Sequence, residues 1–468
     1  MIFNPELHRN IWLDFTFHRV IILPVVTMLL IYLFYLTGGV ENSASMAFNL
    51  AWIFIFLWGT KSASETVIDE VSDRTWDFQR QSSISPWEMT WGKLFGATLF
   101  SWYGAIFCLV FYVLLKPAEI FGFGFSEPTL TISHEILLLI LGGIFSQALA
   151  LLLSLQILPQ IRRDRTNRTF RYFVAGLVIG LMMTSFCFNA AKSPTTTINW
   201  HGFTYSVGPF AFCTLLMFLA WTIIGLQRSF CKELQYQNIP WMWVLFNIFC
   251  IVFFSGLVPA ENLNLGDIEI SGLRDIQNHL LHAPLYFGFF IAQALTYFAL
   301  FTDTLSFIRY KYFITRLREK NIIETLQQLP WWPISLIMTI ITGTIIAVVQ
   351  TQNSTLFENF SPAIFVLTTI LFLARDIALI HFFTFAKNPR NATGSAVLYL
   401  FILYILLPLL LKALHLGSLS PLLLPSWGQN TPLAIFSTVI QIAFFTKLCL
   451  VRWKQNLDLI TSSEIEKT

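Results

Sequence analysis

The sequence VIILPVVTMLLIYLFYLTG at residues 20–38 contains no charged side chain. The hydrocarbon core of a bilayer is about 30 Å thick and a helix rises about 1.5 Å per residue, so about 20 apolar residues cross it. Similar apolar stretches recur along the chain and predict twelve spans, at residues 20–38, 46–60, 94–115, 136–158, 172–190, 208–227, 240–259, 284–302, 332–350, 361–385, 395–416 and 431–449. The predicted fold is therefore an all-α polytopic membrane protein.

The composition of the whole chain agrees with this fold class. Of the 468 residues, 55% are hydrophobic, 16% are aromatic and only 12% are charged, whereas an average soluble domain is about 25% charged. These values exclude a soluble globular enzyme and a disordered chain. The net charge of +3 is too small to indicate nucleic acid as a partner.

The basic residues predict the orientation of the spans, because Lys and Arg are enriched on the cytoplasmic side of membrane proteins. An even number of spans places both termini on one side. If that side is the cytoplasm, it holds 25 of the 29 Lys and Arg together with 17 acidic residues, and the outer side holds four basic and nine acidic residues. The sequence therefore predicts that both termini are cytoplasmic.

Residues 1–19 predict a separate amphipathic helix that lies in the inner membrane interface. Asn4 is placed to cap this helix and Pro5 suits its first turn. An apolar stripe recurs every four residues, at Phe3, Leu7, Ile11 and Phe15. Polar residues lie off that stripe, at Glu6, Arg9, Asn10 and Asp14. Such a helix is expected to bury its apolar face in the membrane surface.

The twelve spans form two half-repeats of six, which predicts one six-span unit over residues 20–230 and a second over residues 231–468. In each half, a long charged segment follows the second span, at residues 61–93 (the first charged segment) and 303–332 (the second charged segment). A Pro-Trp pair closes each segment, at Pro86 and Pro330. Shorter basic loops also correspond, at residues 162–171 and 387–390. Six spans return the chain to its starting side, so the duplication is parallel.

The two charged segments are candidate docking surfaces for a cytoplasmic partner. The first carries four basic and six acidic residues, and the second carries five basic and three acidic residues. Ser85 and Glu88 predict a capping box for the helix that begins at Pro86. The alternative interpretation of each segment is a solvated helix face without a partner.

The sequence predicts no catalytic residue, no cofactor-binding residue and no metal site. It has no GxxxxGK[ST] phosphate loop, no HExxH and no GxSxG. Charge inside the spans is scarce, with one intramembrane charge pair predicted at Arg375 and Asp376. A pair that anchors the cytoplasmic end of its span is favoured over a substrate contact. An energy source outside the chain is expected, since ion-coupled carriers depend on ionisable groups within the membrane.

The stretch DEVSDRTWDFQR at residues 69–80, followed by SPWE at 85–88 and GKLFG at 92–96, resembles the permease subunits of ABC exporters of the type-2 export family. NPEL at residues 4–7 is similar to the interfacial helix before their first span. The resemblance implies six spans per unit, two units per pathway, and a short coupling helix after the second span that docks on a separate ATPase. Here both units lie in one chain, as in fused permeases.

The resemblance implies a membrane permease in the cytoplasmic (inner) membrane that performs no covalent chemistry. Its expected partners are two cytoplasmic ABC ATPase subunits, which bind ATP and Mg²⁺, and membrane lipid. The expected cargo is amphiphilic or lipid-like. The predicted ATPase-coupling residues are Thr75, Trp76, Asp77, Gln79, Arg80, Arg316 and Lys320, with Trp76 as the anchor. The alternatives are a secondary carrier, an intramembrane enzyme and a membrane assembly scaffold.

Overall fold

A computed structural model describes residues 4–82, 84–116, 132–156, 158, 169–193, 196–236, 239–257, 283–302, 307–351, 362–386, 392–425 and 431–465. Within these residues, ten helices are long and apolar enough to cross a membrane. The chain is thus an all-α polytopic membrane protein, as predicted. The basic loops at 162–168 and 387–390 lie outside the described residues.

The chain divides into two compact units, one formed by Met1–Ile198 with Thr204–Asn238 and the other by Asn199–Phe203 with Ile239–Thr468. The helices of the first unit are α1 (Pro5–Asp14), α2 (Phe17–Trp52), α3 (Thr60–Ser72), α4 (Trp76–Arg80), α5 (Pro86–Leu115), α6 (Ile132–Gln156), α7 (Thr169–Lys192) and α8 (Val207–Glu233). A π-helical turn, Ile53–Gly59, joins α2 to α3. A hairpin of β1 (Thr197–Trp200) and β2 (Phe203–Ser206) precedes α8.

The helices of the second unit are α9 (Trp241–Gly256), α10 (Ala283–Thr302), α11 (Phe307–Arg318), α12 (Ile322–Gln328), α13 (Trp332–Thr351), α14 (Pro362–Thr384), α15 (Ala392–Phe401), α16 (Leu407–Ala413) and α17 (Thr431–Ile465). A π-helical turn, Ile402–Leu406, joins α15 to α16, and a 3₁₀ helix, Gly417–Leu422, follows α16. The hairpin tip packs on the end of α9, where His201 N–H donates to the Gly256 carbonyl at 3.0 Å.

Twelve spans are predicted, but ten helices of the described residues are long and apolar enough to cross a membrane. Two elements account for the difference. Residues Phe17–Ser72 are one helical run of 56 residues, which at about 1.5 Å per residue is far longer than a bilayer core of about 30 Å. This run is broken at Gly38 and at Gly39, where φ is +71°, a backbone conformation that glycine adopts readily. Helix α9 is apolar but has only 16 residues.

Helix termini follow the sequence signals closely. The Asn4 side chain accepts hydrogen bonds from the N–H groups of Glu6 and Leu7, and Pro5 occupies the first turn of α1. Ser85 and Glu88 form the predicted capping box at the start of α5. Both predictions are confirmed, because capping depends on residues only a few positions apart.

A buried amide secures the π-helical turn in the first unit. Gln147 Nε2 donates to the Ile55 carbonyl at 3.0 Å, and Trp102 Nε1 donates to Gln147 Oε1 at 3.0 Å. A π turn leaves a carbonyl without its usual helical partner, and the Gln147 side chain replaces that partner. The start of α3, and with it the first charged segment, is therefore fixed to the helical core.

Candidate functional site

Helix α1 packs on the beginning of α5 through its polar side. Asn4, Glu6 and Asn10 are buried, and they lie against two glycines of α5. A Cβ atom at Gly92 would lie 2.7 Å from Glu6 Cβ, and one at Gly96 would lie 2.5 Å from Asn10 Nδ2. The absence of side chains at these two positions is what allows the helices to approach so closely.

The burial of these polar residues is a feature that the hydropathy pattern of α1 does not predict. That pattern predicts only an apolar stripe with the polar residues off it. In the structure, Glu6 and Asn10 contact the protein, while Trp12 is 88% exposed. A polar face can be buried when its partners are also polar, and no local pattern reveals those partners.

Lys93 lies at the centre of a buried ion-pair network. Its side chain is 0% exposed, its Nζ lies 2.6 Å from Glu6 Oε1, and it also contacts both carboxylate oxygens of Glu70. Arg9 completes the network, because its Nη2 lies 2.8 Å from Glu6 Oε1 and also pairs with Glu70. Two cations thus face two carboxylates, so the network is neutral as a whole. Burial at this depth requires such compensation.

Glu70 joins this network to the short helix α4. Gln79 Nε2 donates to Glu70 Oε1 at 2.9 Å. The Thr75 backbone N–H donates to the Glu70 carbonyl at 2.9 Å. On the opposite side, Arg80 Nε donates to the Glu233 carbonyl of α8 at 3.0 Å. Helix α4 is therefore held by α3, α5 and α8, all within the first unit.

Trp76 is part of this interior rather than of the surface. Its side chain is 1% exposed and packs 6.3 Å from the Phe230 ring, with Lys93 Nζ 5.7 Å from the Trp76 ring centroid. A side chain in this position fixes α4 to the core. The exposed aromatic of α4 is Phe78, which is 77% exposed beside the exposed Asp77. Trp76 is therefore buried within the first unit, and Phe78 is the aromatic side chain of α4 that is exposed at the surface.

The second charged segment is built with different side chains. Arg316 Nη1 lies 2.7 Å from Glu319 Oε2, and Arg316 Nε lies 2.7 Å from Glu324 Oε2. The Asn321 side chain accepts from the Glu324 N–H at 3.4 Å and caps α12. Arg316 thus braces the turn between α11 and α12, while Lys320 and the apolar Ile322 are exposed on it.

The two charged segments share a backbone turn. Arg74 and Lys320 have φ values of 61° and 57°, a left-handed conformation that is unusual for residues other than glycine. In both turns the next N–H donates five residues back, from Thr75 to Glu70 at 2.9 Å and from Asn321 to Arg316 at 3.2 Å. This pairing is the Schellman ending of a helix. Each charged segment therefore has a helix, this turn and a shorter helix in the same order.

Arg375 and Asp376 form an ion pair in the interior of the second unit, and both are 0% exposed. Arg375 Nε donates to Asp376 Oδ1 at 2.8 Å. Asp376 Oδ2 accepts from the hydroxyls of Tyr297 and Tyr404, each at 2.6 Å. Arg375 Nη1 donates to Gln441 Oε1 at 3.2 Å. The pair therefore joins α14 to α10, to the π turn after α15 and to α17.

Sequence reasoning missed Glu6, Glu70 and Lys93 as a group, because the three residues are far apart in the chain. A lysine within the apolar run that begins α5 was the available signal, since a charge there requires a partner. Within the described residues, no group of His, Cys, Asp or Glu is arranged to hold a metal ion. Comparison with known proteins provides no assignment, because no family model, no curated protein and no solved structure matches the chain.

Proposed function

We propose that the chain is the membrane-spanning permease of an ABC exporter, driven by two ATPase subunits that bind ATP and Mg²⁺ on separate chains. It lies in the cytoplasmic (inner) membrane as two units of six spans, twelve in all, with both termini in the cytoplasm. Its cargo is amphiphilic or lipid-like, and the chain itself performs no covalent chemistry. The first charged segment is the coupling surface for one ATPase, and the second charged segment is the coupling surface for the other.

The observation that supports this proposal best is that α4 is fixed to the core on one side and exposed on the other. The outward side of this short helix carries an exposed Phe78 and Asp77, while its inward side is fixed through Trp76 and Gln79. A coupling element must combine an exposed contact surface with a stiff connection to the membrane helices. The network around Lys93 supplies that connection, since it joins α4 through Glu70 to both α1 and α5.

The proposed orientation predicts opposite labelling of two exposed sites. In a variant without the six native cysteines, Cys replacing Thr204 in the hairpin is expected to react with a membrane-impermeant maleimide on intact cells. Cys replacing Arg318, at the end of α11, is expected to react only after the membrane is permeabilised. The reason is the positive-inside distribution of basic residues. Labelling of Arg318→Cys on intact cells would contradict the proposed orientation.

The coupling assignment predicts that Phe78→Ala weakens binding of the ATPase subunits. Truncating an aromatic anchor at an interface costs about 2 kcal/mol or more, or about 30-fold in affinity. Co-purification of a P-loop ATPase with the tagged permease measures this loss. Lys320→Ala is expected to cost only about 0–1 kcal/mol, because an exposed charge pair contributes little.

Phe170→Ala is the matched control for that experiment. Phe170 is also a highly exposed phenylalanine of the first unit, but it lies on α7, outside the charged segments. If the two variants retain the same amount of ATPase, Phe78 is not an anchor. If no P-loop ATPase is recovered with the unmodified chain, or if an ion gradient alone drives transport, the ABC assignment is wrong.

A secondary carrier is the second candidate, and the buried charge of Arg375 and Asp376 is the observation in its favour. The same geometry also favours a structural role for this pair. Oδ1 of Asp376 faces Arg375, and Oδ2 already accepts two tyrosine hydroxyls. A cargo or ion would have to displace these partners before it reached the carboxylate.

A further inference from the structure

His381 is a buried histidine near the end of α14 whose two ring nitrogens are both engaged. Nδ1 lies 2.7 Å from the Ile377 carbonyl oxygen, and Nε2 lies 2.6 Å from the Tyr310 hydroxyl. The Tyr310 hydroxyl also accepts from Trp332 Nε1 at 2.6 Å. Three helices meet through these bonds, since Tyr310 lies on α11, Trp332 begins α13, and His381 lies on α14.

The hydrogen bonds that link Trp332, Tyr310 and His381 to the Ile377 carbonyl have one consistent arrangement of donors and acceptors when the His381 ring is neutral. A carbonyl only accepts, so His381 Nδ1 carries the proton and donates to Ile377. Nε2 is then an acceptor, and the Tyr310 hydroxyl donates to it. The lone pairs of the same hydroxyl accept the Trp332 indole N–H. Each of the side-chain polar atoms in these three hydrogen bonds therefore has a partner, and none of them carries a charge, which suits a buried position.

Aromatic rings enclose His381 and fix its orientation. Tyr310, Trp332 and Phe385 meet the imidazole edge-to-face, with ring centroids 5.4, 5.3 and 5.7 Å away. Trp453 of α17 packs 5.4 Å from the Phe385 ring. Edge-to-face pairs favour defined ring angles in addition to apolar burial. The imidazole is therefore held in the direction that its two hydrogen bonds require.

The base of α11 is held at a second point on the same side. The Phe307 ring lies 4.5 Å from the Trp453 ring and 6.3 Å from the Phe385 ring. Asn456 Nδ2 donates to the Phe385 carbonyl at 2.9 Å, which attaches the C-terminal half of α17 to the residue that follows α14. Helix α11, which begins the described part of the second charged segment, thus rests on α14 and α17 through aromatic rings and uncharged hydrogen bonds.

We infer that His381 is the positioning residue of the second charged segment, because it fixes α11 against α14 through the Tyr310 hydroxyl. The first charged segment is fixed by the ion-pair network around Lys93. The second charged segment is fixed by the uncharged hydrogen bonds of His381, Tyr310 and Trp332. His381 lies on α14, the helix that also carries Arg375 and Asp376. Helix α14 therefore connects α11 directly to the buried ion pair. This inference rests on the proposed function only in treating the segment as a coupling surface.

Amide hydrogen exchange of the complete, purified chain in lipid nanodiscs tests the inference without any partner. Tyr310→Phe keeps the ring and removes the hydroxyl, so the two bonds of that oxygen are lost. We expect exchange across residues 307–318 to become roughly tenfold faster, because two buried hydrogen bonds no longer oppose opening of the helix. Exchange across α3 and α4 is expected to stay unchanged.

Tyr312→Phe is the matched control, since Tyr312 lies on the same helix but is exposed and its hydroxyl donates to Glu324 at 3.3 Å. It is expected to leave exchange at the beginning of α11 within about twofold of the unmodified chain. Equal exchange in Tyr310→Phe and Tyr312→Phe would overturn the positioning role of the hydroxyl.

A double variant shows whether His381 and Tyr310 act through their shared hydrogen bond or through separate packing contacts. His381→Phe keeps an aromatic ring in the cage and removes the bond to the Tyr310 hydroxyl, but leaves the bond from Trp332 to that hydroxyl in place. Alone it should speed exchange across residues 307–318 by no more than Tyr310→Phe does. If His381 and Tyr310 act through their shared bond, exchange in the double variant is no faster than about twice that of Tyr310→Phe. Multiplication of the two effects, to about a hundredfold, would show independent roles and overturn the inference. Neither result depends on an ATPase, so a failed co-purification leaves this test intact.

Discussion

Lys93→Met is expected to lower the free energy of unfolding of the first unit by about 3–5 kcal/mol, because it leaves buried carboxylates without their central cation. Lys93 faces Glu6 and Glu70 and is fully buried, so water cannot replace the ammonium group. In a two-state approximation the apparent melting temperature of the purified chain should fall by about 6–20 °C. A thermal-shift measurement in detergent or nanodiscs records this change.

Two variants test whether charge rather than packing causes that loss. Lys93→Met combined with Glu70→Gln removes one charge of each sign and leaves Glu6 paired with Arg9 at 2.8 Å. The double variant should recover most of the stability. Lys61→Met, at an exposed lysine of α3, should stay within about 0.5 kcal/mol of the unmodified chain. A double variant as unstable as Lys93→Met alone would show that the uncompensated charge of Glu70 is not the cause of the loss.

Arg375→Met is expected to cost a similar 3–5 kcal/mol or so in the second unit, again because a buried carboxylate loses its counter-charge. Asp376 would keep its two tyrosine donors, Tyr297 and Tyr404, but would lose the guanidinium group that its Oδ1 faces. The same thermal-shift measurement applies. Adding Asp376→Asn should restore much of the stability, since an amide can still accept the tyrosine hydroxyls.

Lys412→Met provides the matched control, because Lys412 is an exposed lysine at the end of α16. It should leave the melting temperature nearly unchanged. If Arg375→Met melts like the unmodified chain but no longer transports cargo, the pair contacts a cargo or an ion. That outcome would favour the secondary carrier over the ABC permease.

Short-range features of this fold could be read from the sequence. The apolar stretches, the cap at Asn4 and the capping box at Ser85 each depend on neighbouring residues, and the structure contains all of them. The interior of the candidate site could not be read in this way. The spacing of Glu70 and Arg74, four residues apart, is typical of an ion pair within one helix. Helix α3 instead ends at Ser72, and Glu70 pairs with Lys93 of α5.

Trp76 shows why residue type alone does not reveal whether a side chain is buried or exposed. A tryptophan in a charged segment fits an exposed anchor as well as a core residue, and the choice depends on a partner far along the chain. That partner is Phe230 on α8. His381 was missed for the same reason, since Tyr310 and Trp332 lie on other helices. A single sequence contains no signal that joins residues over such separations.

The packing of α1 on α5 has a consequence for synthesis of the chain. The Asn4 side chain donates to the Glu88 carbonyl, a contact across 84 residues. At about 5–20 residues per second, a ribosome needs about 4–17 s to make the intervening chain. During that interval Glu6 and Arg9 have each other but neither Glu70 nor Lys93. Helix α1 can therefore complete these contacts only after Glu88 and Lys93 of α5 have left the ribosome.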